Sequence, residues 1–219
     1  MTRRAGEPAA AGASRHLAAV ALTLAGTALL WLTFGSTHSS AVFVALALAL
    51  AAFWFLASAF LTRGRPPASL HGSRPSAPVA FGRAALVAVG TAGLFVVGVL
   101  VLLLLPWTAE EVGEAVAAAE STPLVVTVAV ALVTGLGEEA FFRGALPRLG
   151  TWPRADLWAT VAYTLSTLAT GNLALILAAP VLGVACVLAR RVTGRLWAAM
   201  LVHAVWSLVM VGGVPLLLV

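Results

Sequence analysis

The chain has 219 residues, of which 61% are hydrophobic and only 10% are charged, and its mean hydropathy is +1.03. Soluble domains are typically about 45–50% apolar and about 25% charged, so this composition excludes an ordinary soluble protein. The net charge of +5 comes from 13 arginines without any lysine, and these are spread over short segments between apolar runs. We therefore interpret them as topology signals, and we predict no nucleic-acid partner.

Seven apolar runs predict seven membrane-spanning helices, because continuous apolar stretches are typical of spanning helices and alternating ones of barrels. The expected spans are approximately residues 17–34, 41–61, 83–107, 123–146, 157–170, 173–189 and 196–211. The predicted fold class is all-α, a polytopic integral membrane helical bundle of about seven spans. The fifth span is short and rich in hydroxyl groups, which predicts that it faces a cavity or other helices and not lipid.

The distribution of arginine predicts how the chain is organised across the membrane. We expect a cytoplasmic tail (residues 1–15) and three accessory spans (16–107) that include a Pro/Arg-rich cytoplasmic loop (62–83). An acidic external segment (108–122) then leads to a core of four spans (123–219). With the N-terminus cytoplasmic, every arginine falls on the inner side, which is the positive-inside pattern. We therefore expect a multi-pass protein of a bacterial plasma membrane, with the lipid bilayer as a partner.

Two adjacent carboxylates and an arginine stand out near the end of the fourth span. Charged groups at membrane depth cost roughly 2.5–3.5 kcal/mol each, so they are functional candidates. Glu139 and Arg143 are four residues apart and share a helix face, which allows an ion pair, whereas Glu138 is rotated by about 100° and can point into a cavity. The alternative is an interfacial ion pair that only fixes the depth of the helix.

Further polar residues occur at a similar predicted depth on two other spans. His203 and Ser207 share one face of the seventh span, and Tyr163 and Thr167 share one face of the fifth. A buried carboxylate beside a histidine suits general-base activation of water, and both groups are also zinc ligands. The alternative for these residues is hydrogen bonding between helices. The single cysteine, Cys186, has no histidine near it in sequence and is not predicted to be a nucleophile.

The segment Glu138-Glu139-Ala140-Phe141-Phe142-Arg143-Gly144 resembles the Glu-Glu-x-x-x-Arg signature of the CAAX protease and bacteriocin-processing family (CPBP, or Abi) of intramembrane endopeptidases. The resemblance covers about residues 120–211. It implies that Glu138 activates the attacking water and that His203 orients this water or stabilises the oxyanion. It also implies that Glu139 and Arg143 form a supporting pair. Members are commonly labelled metalloproteases, so a divalent metal such as zinc, with Glu138 and His203 as ligands, is a further option.

The chain departs from the family pattern at two positions. The family's second motif is an aromatic residue followed four positions later by histidine, but here Tyr163 is followed by Thr167. Its third motif is a histidine followed four positions later by Asn or Asp, but here His203 is followed by Ser207. Both hydroxyls can donate to an oxyanion, although losing one well-placed donor typically costs about 10²–10³ in rate. Catalytic residues are therefore predicted as Glu138, Glu139 and His203, with Arg143, Tyr163, Thr167 and Ser207 in support.

Three functions fit these features. The first is a CPBP-type intramembrane endopeptidase, a hydrolase that cleaves a peptide or membrane-protein substrate near the cytoplasmic face. The second, motivated by Thr167 and Ser207, is an inactive relative that acts as a membrane scaffold, chaperone or immunity-type factor. The third is a small proton-coupled transporter, which has less support because no inverted repeat is visible and acids do not recur in other spans. The sequence identifies neither the substrate nor the oligomeric state.

Overall fold

The computed structural model describes residues 9–34, 39–64, 74–104, 122–150 and 154–218, and these are almost entirely helical. The main helices in chain order are α1 (Ala9–Phe34), α2 (Ser40–Thr62), α3 (Ala77–Leu103), α4 (Leu124–Glu139), α5 (Arg154–Thr167), α6 (Leu173–Thr193) and α7 (Leu196–Ser207). A π-helix (Ala140–Ala145) and a 3₁₀ turn (Leu146–Leu149) continue α4, and a 3₁₀ turn (Leu168–Thr170) continues α5. A second π-helix (Leu208–Gly213) and a short helix (Val214–Leu218) continue α7.

The predicted fold class, an all-α polytopic bundle, is confirmed. Seven main helices occur in the described part of the chain. Six of them are long and apolar enough to cross a membrane, where α4 and α7 are counted together with the segments that continue them to Leu149 and Leu216. The exception is α5, the predicted fifth span, which has 14 residues. At ~1.5 Å per residue it is about 21 Å long, less than the ~30 Å hydrocarbon core. The polar composition of α5 explains why it is shorter than the predicted span, because a helix that packs on other helices needs no long apolar surface toward lipid.

Several predicted segments lie wholly or partly outside the described residues. They are the tail (1–15), of which residues 9–15 are described, the Pro/Arg-rich loop (62–83), of which 62–64 and 74–83 are described, and the acidic segment (108–122), of which only Thr122 is described. The division into accessory spans and a core stays a prediction.

The helix α2 packs directly against the segment that carries the two glutamates. Trp54 is 1% exposed, and its ring lies 4.8 Å from that of Phe141 and 5.0 Å from that of Phe142. Aromatic pairs at such distances contribute about 0.5–1.5 kcal/mol beyond the area that they bury. This cluster therefore fixes the end of α4 against α2.

The helices α3, α6 and α7 pack through small side chains. The buried residues at their contacts include Ala84 and Ala88 from α3, Cys186 from α6, and Ala198 and Ala199 from α7. Small residues allow helix backbones to approach closely, which is the usual basis of helix association in a membrane. This close packing sets the position of α7, and with it that of His203.

The arginine-bearing ends of the helices meet at one end of the bundle. Arg83 at the start of α3 donates to the carbonyl of Val192 at 2.9 Å, and His16 of α1 hydrogen-bonds the carbonyl of Leu149 at 3.1 Å. Asp156 in the first turn of α5 pairs with Arg190 and Arg191 in the last turn of α6. The short helix α5 therefore starts at the end of the bundle where α6 finishes, so the two helices run antiparallel.

Candidate active site

The catalytic candidates on α4 are placed at the junction between an α-helix and a π-helix. The α-helix ends at Glu139 and the π-helix runs over Ala140–Ala145, so Arg143 lies within it. Side chains from other helices bond its carbonyls: Ser58 donates to Ala140 at 2.8 Å, and Arg190 donates to Arg143 at 2.9 Å. Short π-helical segments are frequent at functional sites. Here α2 and α6 anchor this segment.

Glu139 is completely buried and links two partners through one oxygen. Its Oε1 accepts a hydrogen bond from Arg143 Nη1 at 3.0 Å and lies 3.0 Å from His203 Nδ1. Because an ionised carboxylate can only accept, Nδ1 carries the proton in this contact. The other ring nitrogen, Nε2, is then an acceptor in the neutral imidazole. Glu139 therefore fixes both the orientation and the tautomer of His203.

Glu138 lies in a different environment from its neighbour. It is half-buried and lines a mainly apolar cavity of about 180 Å³. The other candidate side chains on the cavity wall are those of Tyr163, Thr167, His203 and Ser207. The structure thus brings together all seven residues that the sequence singled out, with Glu139 and Arg143 directly behind the wall. One acid is engaged by the arginine, and the other faces the cavity.

Arg143 is completely buried and uses two contacts to balance its charge. Besides the ion pair with Glu139, its guanidinium carbon lies 4.3 Å from the centre of the Tyr163 ring, a cation–π contact. The Tyr163 ring also meets Phe142 edge-on at 5.3 Å and His203 at 6.5 Å. Tyr163 is therefore held on three sides by residues of the site.

The hydroxyl of Thr167 is engaged by the backbone of its own helix. Its hydroxyl donates to the carbonyl of Tyr163, four residues earlier on α5, at 3.0 Å. A hydroxyl has one proton to donate, so Thr167 offers the cavity an acceptor and not a donor. Oxyanion stabilisation by Thr167 is incompatible with this hydrogen bond.

The described residues also contain a group of donors of the kind that bind metals. One ligand atom each from Glu139, Cys186 and His203 lie within 4.8 Å of one another. Thiolate, imidazole and carboxylate are all zinc ligands. In this arrangement, however, the carboxylate and imidazole bond each other, the thiol contacts the carbonyl of Ala199 at 3.6 Å, and Arg143 supplies positive charge. These residues, as arranged, do not fit a bound metal, because it would have to displace these contacts.

Sequence reasoning missed Cys186 and the Asp156–Arg190 pair. Cys186 lies 17 residues before His203 in the chain, and only the packing of α6 against α7 brings the two side chains together. Asp156 and Arg190 are both at least nine-tenths buried, and Arg190 also bonds the Arg143 carbonyl. The sequence did contain one indication of an ion pair, because Asp156 is the only aspartate in the chain and lies in an arginine-containing segment.

Comparison with protein families gives the site its context. Residues 120–209 match the family model described as "Type II CAAX prenyl endopeptidase Rce1-like". The match covers 90 of the 219 residues, and this segment is similar to the Rce1-like family. The Rce1-like segment contains all seven candidate residues, and the resemblance to CPBP proteases is thereby confirmed. Comparisons with curated proteins and with solved structures found no match for the chain.

Proposed function

We propose that the protein is an intramembrane endopeptidase that hydrolyses a peptide bond with a water activated by Glu138. The observation that carries this proposal is the cavity wall shared by Glu138 on α4 and His203 on α7, with Glu139 engaged by Arg143 behind it. The Rce1-like family supports a protease of the CAAX type at the level of the family. The substrate would be a peptide or a membrane-protein segment.

The residues of this chain can perform each step of the reaction. A water between Glu138 and His203 donates one hydrogen bond to the Glu138 carboxylate and one to His203 Nε2. As the water oxygen bonds the carbonyl carbon of the peptide, Glu138 takes one proton from that water. The C–N bond then breaks, and Glu138 returns the proton to the leaving nitrogen. Since the carboxylate, the imidazole and the substrate meet in a largely apolar cavity, bulk water does not weaken their interactions.

The arginine-rich end of the bundle supports cleavage near the cytoplasmic face. At this end, contacts of Arg83, Asp156 and Arg190 connect α3, α5 and α6 with one another. With the positive-inside rule, this end would be cytoplasmic in a bacterial plasma membrane. Protection of cysteines introduced at this end from an external thiol reagent in whole cells tests this placement.

Purified protein in lipid nanodiscs, incubated with peptide substrates in H₂¹⁸O, tests the proposed function. Transmembrane peptides and a CAAX peptide with and without a prenyl group form the substrate set. We expect cleavage products with one ¹⁸O atom in the new carboxyl group, and Glu138→Gln should form them about 10²- to 10⁴-fold more slowly. Activity that is equal in this variant and the wild type would contradict the proposal.

The sequence also predicted a zinc ion bound by Glu138 and His203, which would give a competing, metal-dependent mechanism. The same assay tests for it. Because the donors near Glu139 are already engaged, we expect hydrolysis to continue after dialysis against a chelator. Loss of activity with the chelator, together with about one equivalent of metal in the untreated protein, would favour the metalloprotease.

An inactive relative with a scaffold role is the second candidate function. The observation that favours it is the Thr167 hydroxyl, which is bonded to the backbone at the position of a histidine in the family motif. This alternative would be established if the wild type hydrolysed none of the peptides and if Glu138→Ala and His203→Ala both kept full cellular function.

Gly135 makes room for the histidine ring and provides a test of its placement. A methyl group at this position would lie 2.8 Å from Cδ2 and Nε2 of His203, a distance that Cβ contacts essentially never show. Because Glu139 fixes the other side of the ring, we expect Gly135→Ala to slow hydrolysis about 10- to 100-fold. The control is Gly90→Ala in α3, where no atom lies within 4 Å of the added methyl and activity should be unchanged. Normal activity of Gly135→Ala would show that the ring position is not critical.

A further inference from the structure

The oxyanion formed in the proposed reaction needs a hydrogen-bond donor, and most donors around the cavity are already engaged. Each threonine on the described cavity wall donates its hydroxyl proton to a backbone carbonyl. The pairs are Thr33 with Leu29, Thr127 with Pro123, Thr134 with Ala47, Thr167 with Tyr163, and Thr170 with Thr167. His203 Nδ1 donates to Glu139. The donors that remain are those of Tyr163, Trp206 and Ser207.

Of these three, Tyr163 shares the cavity wall with Glu138, and its ring lies against Arg143, the ion-pair partner of Glu139. The side chain is 6% exposed and lies on the wall of the cavity. Its ring is fixed by Arg143 on one face and by Phe142 at an edge. A donor that is held rigidly before the reaction stabilises developing charge without a cost of reorganisation.

We propose that Tyr163 is a catalytic residue, whose phenol donates a hydrogen bond to the carbonyl oxygen of the scissile peptide as this oxygen becomes an anion. The inference rests on the proposed function of Glu138. The phenol keeps its proton throughout, since Glu138 carries the proton from the water to the leaving nitrogen. Tyr163 thus supplies the donor that Thr167, one helical turn away, does not supply.

The shared cavity also defines which group of the substrate Tyr163 contacts. The substrate carbonyl lies between the phenol and the water held by Glu138, so the attacking oxygen and the oxyanion donor act on the same carbonyl group. The Arg143 guanidinium under the ring makes the phenol a stronger donor, because positive charge draws electron density from the ring. Arg143 is in this respect a positioning residue, since it acts through Tyr163.

The variant Tyr163→Phe tests this assignment, because it keeps the ring and its contacts with Arg143 and Phe142 and removes only the hydroxyl. We expect kcat to fall about 10²- to 10³-fold with KM changed less than about threefold, since the bond forms mainly in the transition state. The matched control is Thr160→Val on the same helix, whose hydroxyl donates to the carbonyl of Asp156 and does not line the cavity. This control should keep the wild-type kcat.

A transition-state analogue gives a second measurement that a structural role would not change. A peptidyl phosphinate carries its negative oxygen where the oxyanion forms, so Tyr163→Phe should bind it more weakly by the same factor by which kcat falls. An uncleaved peptide of the same sequence should bind both proteins equally. Equal affinity of wild type and Tyr163→Phe for the phosphinate would overturn the inference.

The outcomes separate this inference from the proposed function. Loss of hydrolysis in Glu138→Gln with an unchanged kcat in Tyr163→Phe overturns the role of Tyr163 alone. A larger fall in kcat for Ser207→Ala than for Tyr163→Phe does the same, because it assigns the main donor to Ser207. Wild-type protein that hydrolyses no peptide overturns both proposals.

Discussion

Purified Glu138→Gln protein is expected to fold like the wild type and to hydrolyse peptides about 10²- to 10⁴-fold more slowly, which is the usual contribution of a general base. The amide has nearly the shape of the carboxylate and can still bond the water, but it cannot take its proton. Glu138 is half-buried on the cavity wall and forms no ion pair with the other described residues, so an uncharged side chain there breaks none. The stability of the variant should therefore equal or exceed that of the wild type.

The rate is measured with the peptide that the wild type cleaves best, and folding is measured by thermal unfolding in the same nanodiscs. Glu138→Asp is the informative companion, because it keeps a base and moves it by one methylene group. We expect its rate to lie between those of the wild type and Glu138→Gln. Wild-type activity of Glu138→Gln would exclude the glutamate as the base.

The largest expected effect on stability comes from Glu139→Leu. This change leaves Arg143, which is completely buried, without its carboxylate, and His203 without the acceptor of its Nδ1 proton. Breaking one side of a buried ion pair typically destabilises a protein by about 3–5 kcal/mol, because the remaining charge is uncompensated. We expect the variant to unfold at a much lower denaturant concentration, with hydrolysis lost in the protein that remains folded.

The double variant Glu139→Leu/Arg143→Met separates stability from function. Replacement of both members of a buried pair by apolar side chains of similar volume is often neutral, so most of the lost stability should return. Hydrolysis should not return, because nothing then orients the His203 ring. Restored hydrolysis in the double variant would contradict the role of Glu139, and a single variant as stable as the wild type would contradict the energetic importance of the pair.

The Asp156–Arg190 pair shows how distant contacts support the same site. Arg190 bonds Asp156 at the start of α5 and the carbonyl of Arg143 in the π-helix, so one side chain connects three elements. Because α5 carries Tyr163, and the π-helix carries Arg143, this contact sets the distance between the two. The sequence offered no periodic signal for it, since the two residues are 34 positions apart.

The amino-acid sequence by itself determined the helical membrane class and the approximate positions of the helices, because apolar length is a local property that needs no knowledge of packing. It also determined that Glu139 and Arg143 share a helix face, which follows from a spacing of four residues. The length of α5, the hydrogen bond that occupies Thr167, and the meeting of Cys186 with His203 and Glu139 were decided only by the tertiary structure. These features depend on which atoms helices bring together after they pack, and on which donors remain for the cavity once backbone carbonyls have been satisfied.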